Sequence, residues 1–159
     1  MRGSKSGIGV AVAAGALAVT ALAFAPAAAA VAPSSATATY DCGIWGGGAA
    51  TLAATQSGTA ATITITSAVK TPVAVGADTI DAKLTLAKNG TGTTLFTGKK
   101  NPALAANASV KIGPLSGTVA SGDSLDSYFD GTALQMTIFG VGVSCDATTG
   151  QSPGPFIFS

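Results

Sequence analysis

Residues 59–69, TAATITITSAV, constrain the fold more than any other stretch. Ile63 and Ile65 fall on one side, and Thr62, Thr64 and Thr66 on the other. A period of two built from β-branched residues describes a strand with one buried face. The pattern returns at 79–88, where Ile80, Ala82, Leu84 and Leu86 oppose Asp81, Lys83 and Thr85. Asn89-Gly90 follows, the strongest short hairpin signal because both positions tolerate positive φ, and residues 93–98 supply a return strand. Further strands are expected at 36–40, 50–55, 108–120 (interrupted at Gly113-Pro114), 132–146 (with Gly140 and Gly142 marking a bulge) and 155–159. Residues 99–107 and 121–131 are expected as loops. Beyond the first thirty residues no segment carries sustained helical periodicity. About seven short strands punctuated by Gly, Pro, Asn and Asp predict an all-β chain, a single antiparallel immunoglobulin-like β-sandwich, with a small closed barrel as the alternative.

The chain begins differently. Residues 1–30 set Arg2 and Lys5 before an apolar run from Ile8 to Phe24, and Ala28-Ala29-Ala30 fits the small-residue cleavage rule. This predicts a signal helix cleaved after Ala30, with Ala36 and Ala38 as other possible cleavage points. An uncleaved anchor is the rival reading. The run is about 17 residues, at the lower limit for crossing a bilayer, and Gly9, Gly15 and Thr20 dilute it. The residues before Cys42, Thr39-Tyr40-Asp41, do not make a lipobox, and no sorting motif or hydrophobic tail ends the chain. The expected organisation is a signal peptide at 1–30, a flexible lead-in at 31–36 and one β-domain at 37–159. The expected location is extracellular, with no membrane span once the signal is removed.

Only two cysteines are present, Cys42 and Cys145. In an oxidising compartment they are expected to pair, and two cysteines allow one connectivity. The bond closes a loop of roughly 100 residues, for which chain entropy gives a stabilisation of about 4.7 kcal/mol.

Charged residues make up 9% of the 159-residue chain, against the usual figure of about a quarter. Histidine and glutamate are absent. After residue 30 six lysines face seven aspartates, so no field would attract nucleic acid. Without histidine, Ser-His-Asp and Cys-His catalysis is excluded, and no catalytic residue or cofactor is expected. Aspartate pairs such as Asp78 and Asp81 could in principle serve a hydrolase, but Asp in Gly/Ser loops is usually a turn former. The loop SGDSLDSYFDG offers Asp123, Asp126 and Asp130 as candidate calcium ligands, at a spacing unlike that of an EF-hand. Neither a Cys-x-x-Cys nor a histidine offers a transition-metal site. Lys99-Lys100 is a candidate protease-facing bond, with no cysteine nearby to pin it. GIWGGG lacks the lysine of a phosphate loop. Asn89 and Asn107 fit the N-glycosylation pattern, though the hairpin accounts for Gly90.

Aromatics give the remaining candidates. Tyr40 and Trp45 flank Cys42, and Tyr128 and Phe129 lie in the aspartate loop. Exposed on one face they could stack a sugar or an apolar ligand; the preferred reading is that the lone Trp45 packs on the disulfide, as in immunoglobulin domains.

The YDCG near the start, TPVAVGADT after the Thr/Ile strand and VGVSCDATTGQSP near the end resemble secreted immunoglobulin-like β-sandwich domains of actinobacteria, families of unknown function. The likeness runs over most of residues 37–155. It implies the sandwich and the disulfide and no catalytic residues. The chain is also similar to the enediyne-carrying apoproteins of actinobacteria, which usually hold two disulfides where this chain has cysteines for one. The expected function is a secreted, non-enzymatic interaction or surface module whose partner is an unknown extracellular protein or glycan. The alternative is a small-ligand or glycan carrier using its aromatics, and a protease inhibitor comes after it.

Overall fold

The computed structural model describes residues 30–159. The leader expected at 1–30 therefore lies outside the described residues except for Ala30. Ten strands follow in order: β1 (Ser35–Asp41), β2 (Gly47–Ser57), β3 (Ala60–Lys70), β4 (Asp81–Lys88), β5 (Gly92–Lys99), β6 (Ser109–Thr118), β7 (Ser124–Ser127), β8 (Thr132–Ile138), β9 (Val141–Ala147) and β10 (Phe156–Ile157). One 3-10 turn, Gly43–Trp45, joins β1 to β2. Among the described residues no helix is long and apolar enough to cross a membrane.

The immunoglobulin-like sandwich is corrected by the strand pairing. Eight strands close into an antiparallel barrel in the order β4-β5-β6-β3-β2-β1-β9-β8, and β8 returns to β4 through Asp81↔Thr137 to Leu84↔Leu134. A sandwich would leave those edges open; here each ring strand has a partner on both sides, which removes the edges. Alternation along a strand reports one buried face and is the same in either architecture, so it could not distinguish them. The closed interior also suits the small residues that face it. Ala36, Ala38, Ala50, Ala54, Ala61 and Ala82 are all buried, interleaved with Leu52, Ile63, Ile65, Leu84 and Phe96. Small and large inward residues together fill a narrow barrel.

Two ring strands are interrupted. The second edge of β4 pairs first with β8 and then, through Leu86↔Ser127 to Lys88↔Leu125, with β7. Its neighbour continues from β9 into β10, which pairs with β7 through Phe156↔Leu125. Residues 121–131, expected as a loop, thus contain a short strand. Residues 132–146, expected as one strand, are a hairpin turned at Phe139-Gly140. Residues 31–36, expected as a lead-in, place Val31 in the core and pair Ala32 with Ile157 before β1 begins.

The chain crosses one end of the barrel between β3 and β4, which lie three places apart in the ring. Asn101 holds this crossover. Its side chain is buried, accepts from the Thr79 and Ile80 amides at 2.8 and 2.9 Å, and donates to the Gly76 and Pro102 carbonyls at 2.7 and 2.8 Å. Truncation leaves four backbone groups short of a partner, and a buried unpaired group costs about 1–3 kcal/mol. We expect Asn101→Ala to lower unfolding free energy by about 2–3 kcal/mol in guanidinium titrations, more than any single surface substitution.

Cys42 and Cys145 form a disulfide, with Cα atoms 4.0 Å apart. It bridges the seam between β1 and β9, whose ladder is only Tyr40↔Ala147 and Asp41↔Asp146. Replacing both cysteines by serine is expected to lower stability by about 2–5 kcal/mol, read as a drop in thermal midpoint with the native far-UV spectrum retained at low temperature.

Candidate functional site

The two ends of the barrel are built differently. At one end Phe156 and Phe158 are fully buried, and Gln56 exchanges two hydrogen bonds with Ser159. Asp123 is buried there too. Its carboxylate pairs with Lys88 at 2.8 Å and accepts from the Ala120 amide at 2.7 Å. Burial raises the carboxyl pKa, but the Lys88 hydrogen bond and charge, the Ala120 amide and Asn89 outweigh it, so the net shift is downward from the ordinary 3.8. A folded pKa below the unfolded one stabilises above the unfolded pKa and is lost as pH falls through the folded value. We therefore expect part of the stability present at neutral pH to disappear below pH 3.8, and Asp123→Asn to flatten that acid limb in pH-dependent melts.

The other end is open. A cavity of about 240 Å³ enters the barrel there, lined almost wholly by apolar groups from β2, β3, β6, β8 and β9. Tyr40 and Cys42 lie in its wall, Ala50, Ile65, Ile112 and Leu134 carry it inward, and Trp45, Val73, Phe139 and Val141 line it too. The start of β2, which forms part of the wall, is built from small residues. Gly47 must lack a side chain, since a Cβ would meet the Tyr40 carbonyl oxygen at 2.5 Å. Gly48 and Ala50 continue the small series.

Short, rigid devices present the rim. The 3-10 turn is tied by the Cys42 amide donating to the Gly46 carbonyl at 2.8 Å and by Asp41 accepting from the Gly43 amide at 2.9 Å. Gly46 closes it at φ +86°. Ile44 is left 95% exposed and Trp45 50% exposed. On the neighbouring hairpin of the ring, the two-residue β8–β9 turn sets Phe139 at φ 53° and Gly140 at φ 78°, with Phe139 65% exposed.

The aromatic candidates separate. Tyr40 points into the barrel at 4% exposure. Its hydroxyl is buried without a hydrogen-bond partner. Burial, helped by the Asp126 charge, pushes the phenol well above its usual range, so it stays a neutral donor. Trp45 stands at the rim beside the disulfide. Tyr128 packs against the core, its hydroxyl donating to the Asp130 carbonyl at 3.3 Å, and Phe129 is 57% exposed; neither lines the cavity. The aspartates separate as well. Asp123 is engaged by Lys88, and Asp126 accepts from the Ser127 and Gln151 amides. Among the described residues no three acidic, histidine or cysteine side chains are grouped to hold a metal. Lys100 of the dibasic pair reaches Asp78 at 3.5 Å.

Ile44, Val73, Phe139 and Val141 were not singled out from the sequence. The one available signal was Phe-Gly inside an apolar run, which reads as continuous strand. No family model, curated protein or solved structure matches the chain.

Proposed function

We propose that this protein is a secreted, non-enzymatic carrier that holds a small apolar ligand in the open end of its barrel. The observation that carries the reading is the 240 Å³ apolar cavity beside the disulfide, with a half-exposed tryptophan at its mouth. Concave, mostly apolar sites with few polar groups are where small molecules bind. The volume lies below the ~300–1,000 Å³ of drug-sized sites, so it suits a short hydrocarbon chain or a compact ring system. The alternative cargo, a glycan, fits less well. A sugar presents hydroxyls all round, and this wall offers few groups to receive them. Export is supported by the leader-like first thirty residues and by the disulfide. The non-enzymatic reading is supported by the chain's lack of histidine and glutamate and by the pairing of Asp123 with Lys88.

Trp45 is the sole tryptophan, so its emission reports on the cavity mouth. Titration with medium-chain fatty acids and with a soluble apolar fluorophore is expected to shift that emission saturably. Ala50→Leu, which places a larger side chain in the cavity wall, is expected to weaken uptake about tenfold or more with an unchanged unfolding transition. Absence of saturable binding across such probes would refute the carrier reading.

A further inference from the structure

The turn between β8 and β9 contains an unfavourable residue choice. Two-residue hairpin loops with positive φ at both positions favour Asn-Gly or Asp-Gly, because Asn and Asp tolerate the left-handed region. This chain uses that chemistry elsewhere. Asn89 (φ 53°) and Gly90 (φ 73°) open the three-residue β4–β5 turn, 89–91. At the cavity end the same backbone angle, φ 53°, is imposed on Phe139. A bulky residue held there is strained, and its ring is left mostly in water, so neither turn geometry nor core packing explains it. Ile44 is the second anomaly, almost fully exposed on a turn that its neighbours lock in place. With Trp45, Val73 and Val141 these side chains are the exposed large hydrophobics of three segments at one end of the barrel, 43–48, 71–75 and 139–141. None of the three segments contains a charged residue, and the flanking Asp41 and Lys70 carry opposite charges.

We propose that this rim docks on an electrically neutral lipid surface, inserting Ile44, Trp45 and Phe139 so that the cavity opens onto the acyl chains. The arrangement argues for lipid over a protein partner. Protein interfaces set their apolar anchors at the centre and ring them with polar groups. Here the exposed apolar side chains border a hollow along the β3-β2-β1-β9-β8 part of the ring, and no packed anchor fills its centre. A second copy laid across the mouth would seal the cavity from any exchange. Tryptophan and phenylalanine at the tips of rigid turns suit the boundary between headgroups and acyl chains, and the balanced flanking charges select no anionic surface. The docking rests on the carrier reading for its cargo, which becomes a single-chain or compact lipid drawn from the surface itself.

The test is vesicle binding by the full chain as expressed and processed, using phosphatidylcholine vesicles and Trp45 emission with co-sedimentation. We expect a blue shift and co-sedimentation that persist as salt is raised. Phe139→Asn and Ile44→Ser should each weaken partitioning about tenfold. Phe139→Asn should melt at or above the temperature of the parent protein, because asparagine accepts the turn geometry better, so loss of binding cannot be ascribed to misfolding. Ala50→Leu should bind vesicles like the parent protein while losing uptake of the soluble fluorophore. Titrations without vesicles thus report on the cavity, and vesicle binding by Ala50→Leu reports on the rim, so either reading can fail alone. The proposal is overturned if phosphatidylcholine vesicles produce no shift, if binding appears only with anionic vesicles and vanishes in salt, if Phe139→Asn and Ile44→Ser bind unchanged, if Ala50→Leu loses docking, or if the chain forms a concentration-dependent dimer that buries Trp45 without lipid.

Discussion

The barrel depends on the seam between β1 and β9. The other ring contacts join strands within the sequence interval between these two, but this seam joins the beginning of the domain to its end. Its regular ladder is two residue pairs long, supplemented by the bridges Thr37↔Ser152 and Ala32↔Ile157. Loop-closure entropy opposes contacts between such distant segments, and so short a ladder offsets little of it. The Cys42–Cys145 bond sits at the open end of the seam and keeps the two ends together even in the unfolded chain. Closure in turn gives β1 and β9 an inside. Tyr40, Ala38 and Cys145 are buried only because the ring is complete. The disulfide and the glycines after it stand at the open end, where Cys42, Gly47 and Gly48 line the cavity.

Polar groups inside the barrel fall into two kinds. Asn101 and Asp123 are buried with their hydrogen bonds made, and each secures a segment that crosses or ends the barrel. Tyr40, Ser127 and Gln151 each bury side-chain polar atoms without a partner. Asn101 fixes the crossover that carries Val75 of the cavity wall, and Asp123 secures the plugged end. The second kind includes one residue of the cavity wall, Tyr40. Its phenol stays protonated across the working pH range, so a ligand that reached it would meet a hydrogen-bond donor and never an anion.

Local regularity was legible in the sequence; closure was not. β3 and β4 announced themselves by alternation, the β4–β5 turn by Asn89-Gly90, and the disulfide by cysteine number. Each is a short-range or compositional property of the chain. Barrel closure rests on backbone pairing of β4 with β8 and of β1 with β9, and backbone hydrogen bonds leave no mark on residue type. The 132–146 stretch misled for a more specific reason. Its turn residue is phenylalanine, so apolar character runs unbroken through a reversal of the chain. Gly140 was visible, but a glycine after an aromatic reads as a bulge within a strand. Of the site, Trp45 and Tyr40 were legible as aromatics near a cysteine. Their opposite fates, one at the mouth and one in the wall, depend on the 3-10 turn that follows Cys42 and reverses the direction in which Trp45 projects.

Phe139 and Asn89 make an internal comparison. Both begin a hairpin turn, both adopt φ 53°, and both precede a glycine at positive φ. At the plugged end the residue is the one that the backbone prefers, and its side chain accepts a hydrogen bond from the Ser124 amide. At the open end the backbone preference is overridden, and the side chain that overrides it projects into solvent beside an apolar cavity. Strain in a solvent-facing turn does nothing for the folded state by itself. It falls at the end that holds the cavity and not at the plugged end, the placement that docking of this rim would explain.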